Sequence, residues 1–561
     1  MKSCKKCSAQ FEVTDGDRAF YDGISPTFDG KKFAIPEPTH CPECRQQRRI
    51  AICNERFLYP GKCDMCQQPT LTEHTPADRP TIYCRACWHS DKWDTRDYGQ
   101  DVDFTRPFLE QVAELKRNSP CQALDLEGLN ENSEYAHHAG DLKNCYLIMH
   151  ADSCEDCSYG YGFKFNTSCM DGFYNLHSEL CFDCIDVHRC YGLTGCQECN
   201  NCHSSAFLRD CIGCKNCFGS YGLRQKEFCF ENQQLTREEY EAKMATIDLG
   251  SYEQYQKYKE RFAELQLKHH FKENQGYNLQ NCFGNHLTNC KDLYCCFDCE
   301  DVETGKYCYQ MVIGGKNLYD MYQYGTNIQN SYECSICGQD SYHIYFSTSC
   351  HMNCSELFYC WFAETSSNLF GCVNTQRGKY CILNKQYTPE EYEVMVARVI
   401  EHMKSTGEWG EFFPMTAGIH GYNKTTAQMY YPLTREQALE QDLRWDDYEA
   451  SLPNVQKTAA VDLPDNIRDA SDEILKAAIE CEVTGRLFKV TPLELSLLRR
   501  IGVPLPRRAP DQRHMDRFRL RNPRKFWQRD CDKCGKKIHT TYSPDRPETV
   551  YCEACYLKET Y

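Results

Sequence analysis

The sequence predicts a mostly β, multidomain protein in which zinc ribbons at both ends flank a duplicated, cysteine-rich β-solenoid with capping helices. Three observations predict it. The chain holds 42 cysteines in 561 residues. Twelve of them form Cys-x2-Cys knuckles near the termini, and the 14 from Cys145 to Cys229 follow a strict three-residue phase.

The knuckles pair into three sets: Cys4, Cys7, Cys41 and Cys44; Cys63, Cys66, Cys84 and Cys87; Cys531, Cys534, Cys552 and Cys555. Two residues between thiolates let one tight turn present both sulfurs to a tetrahedral ion, and a second knuckle closes the shell. In the second and third sets the knuckles stand 17 residues apart (67–83 and 535–551), as in zinc ribbons. A four-sulfur shell leaves no position for water or substrate, so the expected role is structural, with about three zinc ions per chain. Residues 1–60 read as a first zinc-ribbon-like module and 61–100 as a second ribbon.

A solenoid is expected over 120–230. From Cys145 to Cys229 there are 14 cysteines, every interval is a multiple of three, and intervals of 12 recur, as in 145–157–169–181. A helix would show a period of 3.6 and a simple strand 2. A sustained short period with Gly, Asn, Asp and Tyr between the cysteines reads as short parallel strands, one coil per 12 residues. Cys157, Cys169, Cys181, Cys190 and Cys202 are expected inward as small, buried free thiols. Metal between coils and redox chemistry stay open as alternatives. His150, His177, His188 and His203 keep no fixed relation to the cysteines and read as surface or rim residues.

Residues 217–241 recur at 369–393 with a constant offset of 152. This places a second solenoid at 276–385, where the phase slips and insertions are expected. Each solenoid leads into a helical cap, at 231–275 and 386–410, covering its end. Thr236 with Glu239, and Thr388 with Pro389 and Glu391, supply the start signals. Residues 411–470, with Pro414, Pro432, Pro453 and Pro464, read as a linker, and a short helix is expected near 471–480.

The ends repeat one another. Residues 41–87 align on 509–555 at an offset of 468, matching Arg45 to Arg513, Arg49 to Arg517 and Tyr83 to Tyr551. Residues 530–561 are thus the C-terminal zinc ribbon, and 471–529 a degenerate basic module. There Ala509 and Gln512 stand for Cys41 and Cys44, Cys481 is matched to Cys7, and nothing replaces Cys4. Cys481 is expected to hold no metal.

Three long strings, Cys-Pro-Glu-Cys-Arg-Gln-Gln-Arg-Arg (41–49), Glu-Trp-Gly-Glu-Phe-Phe-Pro (408–414) and Tyr-Ser-Pro-Asp-Arg-Pro-Glu-Thr-Val-Tyr-Cys (542–552), carry a resemblance. Over nearly its whole length the chain resembles a family of Cys-rich proteins from candidate phyla radiation bacteria that carry a CxxC-x17-CxxC zinc-ribbon domain. The resemblance implies zinc and a bacterial cytoplasm, and brings no activity, substrate or catalytic residue.

The N-terminus has no apolar core of a signal peptide, and no run approaches 18 apolar residues, so a soluble cytoplasmic protein is expected. Reduced thiols and zinc fit that compartment better than disulfides. The net charge of −16 disfavours nonspecific nucleic-acid binding. Residues 486–529, however, carry 13 Lys/Arg against three acids, a net of +10, which leaves −26 for the rest. No phosphate loop, His-Glu-x-x-His helix or nucleophile elbow appears, so no enzyme is expected. The favoured reading is a zinc-binding interaction scaffold associating with RNA or a ribonucleoprotein. Arg513, Arg517, Arg521 and Arg524 would present an exposed positive face beside Trp527. The alternatives are a pure protein–protein scaffold, whose arginines pair with acids of the same chain, and a thiol-based redox or metal-storage protein.

Overall fold

A coil of the first solenoid takes twelve residues in four sides of three. The computed structural model describes residues 1–76, 79–310, 312–322, 329–337, 342, 345–346, 348–350, 355–449 and 456–560. Parallel backbone partners stand twelve apart, as in Lys143 with Glu155, Tyr146 with Ser158, Met149 with Tyr161 and Asp152 with Lys164. On each side the first residue points inward, the second pairs with the coils above and below, and the third turns the corner. The corners are left-handed: Asn144, Leu147, His150, Ser153 and Asp156 have φ between 47° and 53°. That conformation costs most side chains about 1–2 kcal/mol, so Gly, Asn and Asp recur at corners, among them Gly162, Asp171, Asp183 and Asp186.

This geometry explains the cysteine phase. Every side begins with an inward residue, so inward positions repeat every three residues and stack every twelve. Cys157, Cys169, Cys181, Cys190 and Cys202 are all buried free thiols, as expected. Each thiol also serves the backbone. Cys157 Sγ reaches the carbonyls of Glu155 (3.3 Å) and Asn166 (3.5 Å) and accepts from the Cys169 N–H at 3.4 Å. His150, His188 and His203 are half-buried and His177 exposed, at the rim.

The second solenoid slips, as expected. Partners lie 11 apart at Gly276 with Leu287, 12 at Gly284 with Cys296, 13 at Lys306 with Tyr319, and 12 again at Leu357 with Leu369. Residues 323–328 and 351–354 of this stretch lie outside the described residues. Both solenoids close in an antiparallel turn, Cys229–Phe230 on Gln233–Gln234 and Lys379–Ile382 on Lys385–Gln386. Capping boxes at Thr236 with Glu239 and Thr388 with Glu391 then start the helices Arg237–Met244 and Pro389–Thr406.

The chain forms two discontinuous units. One joins Met1–Ala123 to Asn274–Tyr448, the other Leu124–Glu273 to Glu449–Tyr561. Each terminal pair of modules therefore shares a unit with the solenoid more distant in sequence. Within each unit a helix packs on the solenoid through aromatics: Phe108 of Phe108–Asn118 on Phe370 (5.4 Å), and Tyr258 of Tyr252–Leu265 on Phe218 (5.1 Å).

Three expectations need correction. Tyr252–Leu265 lies along a flank of the coils rather than over an end, because Tyr255 and Phe262 pack on Phe207. Residues 411–448, read as a linker, are packed, with Phe412, Phe413, Ala417 and Tyr422 buried and short helices at Ala427–Tyr430 and Arg435–Leu439. The prolines drew attention and the aromatics did the anchoring; residues 450–455 lie outside the described ones. Near 471–480 the chain makes a 3-10 turn, Asp472–Lys476, then a strand, Ala478–Glu480, between Lys457–Ala459 and Leu487–Phe488. Sheet pairing overrides the local helical preference.

Candidate metal centres

All four terminal modules share one construction: a short antiparallel hairpin with a knuckle at its turn, then a helix whose first turn faces the knuckle. In the ribbons the hairpins are Tyr59–Lys62 with Pro69–Thr72 and Trp527–Asp530 with Lys537–Thr540. In the first module Lys2–Ser3 pairs with Gln10–Phe11. Each knuckle ends in a left-handed residue, Ser8 (φ 61°), Gln67 (φ 63°) or Gly535 (φ 72°), whose N–H donates to the carbonyl of the first cysteine. Cys41 and Cys84 are the N-caps of Pro42–Ile50 and Arg85–Trp88, and Cys552 immediately precedes Glu553–Thr560. The positive end of each helix favours the thiolates.

In each expected set the four sulfurs lie within 4.8 Å of one another. Measured pairs are 3.6 Å for Cys7 and Cys41, 3.8 Å for Cys66 and Cys84, and 3.8 Å for Cys534 and Cys552. A tetrahedral ion with metal–sulfur bonds of 2.3 Å separates its sulfurs by about 3.8 Å. The fit is close, and all three groups can hold a metal ion.

The electrostatics agree. Burial raises Cys63, but N–H groups of Cys66, Cys84 and Met65 outweigh it and bring the thiol down to about 6. Cys531 reaches about 6 in the same way, through Cys552, Cys534 and Lys533. Cys87, by burial and its neighbouring thiols, and Cys555, by Cys534 and Cys552, are pushed up to about 12. Four thiols without a cation thus compete for negative charge, and a bound cation releases the remaining protons.

The degenerate module keeps the frame without the ligands. Its strands pair Ile479 with Phe488 and Glu480 with Leu487, as Lys2 pairs with Phe11 and Ser3 with Gln10. Gly485 (φ 68°) closes the knuckle on the Cys481 carbonyl, as Ser8 does on Cys4. This register corrects the sequence alignment: Cys481 occupies the place of Cys4, and Thr484 that of Cys7. One surviving cysteine fits either knuckle position, and the hairpin decides between them.

The basic segment is not the exposed face expected of it. Arg513 and Arg517 are buried on the helix Pro510–Leu520. Arg513 pairs with Asp171 and, at 2.9 Å, with Glu494; Arg517 meets Asp171 at 2.9 Å and Asp183 at 3.5 Å. Arg521 grips Asp186 with two hydrogen bonds of 2.8 and 3.0 Å. Arg524 donates to the Tyr174 hydroxyl at 3.4 Å, and Trp527 is half-buried at the start of its strand. The three aspartates could not be matched to these arginines in sequence because they come from solenoid corners more than 300 residues away.

Unit 1 repeats this arrangement. From the helix Pro42–Ile50, Arg45 and Arg49 (3.7 Å) meet Asp320, itself a left-handed corner residue (φ 57°) like Asp171 (φ 56°). Arg48 makes bonds of 2.7 and 2.8 Å to Glu333 and 2.9 Å to Glu411. Although burial opposes it, His40 and Arg48 hold the Glu411 carboxyl at about 2.

A further group was not anticipated: Glu73, His74 and His420 also bring ligand atoms within 4.8 Å of one another. No spacing could reveal it, because His420 lies in the stretch read as linker. No family model, curated protein or solved structure matches the chain. No helix among the described residues is long and apolar enough to cross a membrane.

Proposed function

We propose that the protein is a non-enzymatic interaction scaffold, stabilised by zinc in its three four-cysteine centres, whose partner is another protein. The observation that carries this reading is the engagement of Arg513, Arg517 and Arg521 by solenoid carboxylates, which spends the charge an RNA face would need. Sulfur spacings near 3.8 Å support zinc, as does the resemblance to the zinc-ribbon family of candidate phyla radiation bacteria. The free thiols suit a reducing cytoplasm. Cys157, Cys169 and Cys181 are fully buried in one stacked column, which suits packing better than redox exchange.

Exposed side chains among the described residues offer places for a partner. Solenoid 1 leaves Phe165, Tyr191 and Ile212 exposed. Beside the first metal centre, a cleft of about 1100 Å³ is lined by Lys5, Lys6, Arg106 and Arg117, with Glu110 and Glu114 on the same helix. The test is copurification of the native protein with a salt series for RNA binding. Protein should come with it and RNA should not. Changing Arg513, Arg517, Arg521 and Arg524 to Glu should lower stability rather than an RNA affinity. Salt-sensitive RNA binding, lost in that variant with fold and metal content intact, would overturn the reading.

A further inference from the structure

A buried mixed-ligand cluster sits in unit 1, apart from the three four-cysteine groups. Glu73 and His74 follow the strand Pro69–Thr72, and His420 lies between the 3-10 turns Met415–Ala417 and Tyr422–Lys424. Cys121 comes from the strand Cys121–Gln122, paired in parallel with Ile82–Tyr83. The His74 and His420 side chains are only 5% and 6% exposed. His420 Nε2 is 3.3 Å from Glu73 Oε2, His74 Nε2 is 3.8 Å from Glu73 Oε1, and Cys121 Sγ is 3.2 Å from His74 Nε2. The two imidazoles lie parallel within 3°, with centroids 5.1 Å apart.

The protein contains its own control. At the offset of 468, Ile82 and Tyr83 correspond to Val550 and Tyr551, which pair in parallel with Phe271 and Lys272. Phe271 therefore takes the place of Cys121, and Thr541 and Tyr542 take those of Glu73 and His74. In unit 2 this position is an aromatic contact, Tyr542 on Phe271 at 5.7 Å, with both residues buried. The fold thus needs only an apolar pair here. Unit 1 instead buries two imidazoles beside a half-buried carboxylate and thiol, which costs free energy unless something offsets their desolvation.

We infer that Glu73, His74 and His420, with Cys121 at their edge, form a fourth metal site, for a divalent cation of the zinc class. Two histidines and a carboxylate are a recurrent zinc ligand set, and nitrogen and oxygen ligands about 2.0–2.1 Å from a tetrahedral ion stand about 3.3 Å apart. The separations of 3.3 and 3.8 Å need only a small closure onto the ion. Cys121 stands at the edge of the group, its Sγ 3.2 Å from His74 Nε2. A cation also balances the half-buried Glu73 carboxylate. The site ties the ribbon at 63–87 to the segment around His420, and no such group occurs among the described residues of unit 2.

The test uses the full-length native protein, zinc-loaded and then exchanged with cobalt(II). Elemental analysis should return one metal more in the wild type than in His420→Gln. A second variant, His74→Tyr with Cys121→Phe, transplants the unit 2 pair and should lose the same equivalent. The cobalt equivalent missing from both should have a weaker sulfur-to-metal band than the four-thiolate centres. Equal metal content in the wild type and His420→Gln overturns the proposal, as does a lost equivalent with full four-thiolate intensity. The readout is a difference, so a shortfall at the four-cysteine centres would lower both totals and stay distinguishable.

Discussion

The helices Pro42–Ile50 and Pro510–Leu520 occupy equivalent places in the two units, and they are held down differently. In both, arginines one turn apart converge on one buried aspartate at a left-handed solenoid corner: Arg45 and Arg49 on Asp320, Arg513 and Arg517 on Asp171. Only the first helix starts within a complete four-cysteine group; the second starts at Ala509. Further pairing surrounds the second helix, as Arg48 with Glu333 and Glu411 and Tyr319 with Asp17 do in unit 1. Glu494 accepts from Tyr159 at 2.7 Å and from Arg513, and Arg508 bridges Glu482 and Asp516 at 2.7 and 2.9 Å. The shared arginine clamp holds a terminal module on a solenoid in both units, and only the first module adds a four-cysteine group that can hold a metal ion.

The largest effect should separate the two knuckles. Metal binding in small zinc modules amounts to about 10–16 kcal/mol of folding energy, so Cys4→Ser should unfold the first module and release one metal. Cys481→Ser, at the equivalent place, should cost only about 1 kcal/mol, in the range of a lost hydrogen bond. Elemental analysis and thermal melts of both variants measure the contrast; equal losses would break it.

The clamp should come next. Arg513→Met leaves Asp171 buried with one partner fewer, and breaking a buried pair costs about 3–5 kcal/mol. Denaturant unfolding should show a loss of that size, largely recovered when Asp171→Leu, Glu494→Gln and Arg517→Met are added, because Asp183 keeps Lys259. A loss below about 1 kcal/mol, typical of exposed pairs, would remove the clamp from the account.

The smallest effect concerns the coils. Arg189 is an exposed corner residue with φ 54°. Arg189→Gly relieves a left-handed conformation costing about 1–2 kcal/mol, partly offset by the entropy of glycine in the unfolded chain, so a gain of up to about 1 kcal/mol is expected. A destabilised variant would count against four three-residue sides per coil.

Much of this was legible in sequence, for definite reasons. Cysteine is conspicuous, and its phase reports the coil directly because every third residue must point inward. The knuckles announce themselves by spacing. The match of Arg45 to Arg513 was visible too, but not what the arginines hold, because Asp171 and Asp320 are ordinary-looking corner residues far away in the chain. Cys481 was set one knuckle position off because a lone cysteine does not define a register. The fourth cluster stayed hidden because Glu73 and His420 are brought together by packing alone.

The most direct measurement of the central claim is amide hydrogen exchange of the native protein before and after a strong chelator. Metal removal should expose the amides of Pro42–Ile50 to fast exchange, while Pro510–Leu520, held by Asp171, Asp183 and Glu494, keeps its protection. Lasting protection across 42–50 in metal-free protein, or loss of protection across 510–520 on chelation, would contradict the account.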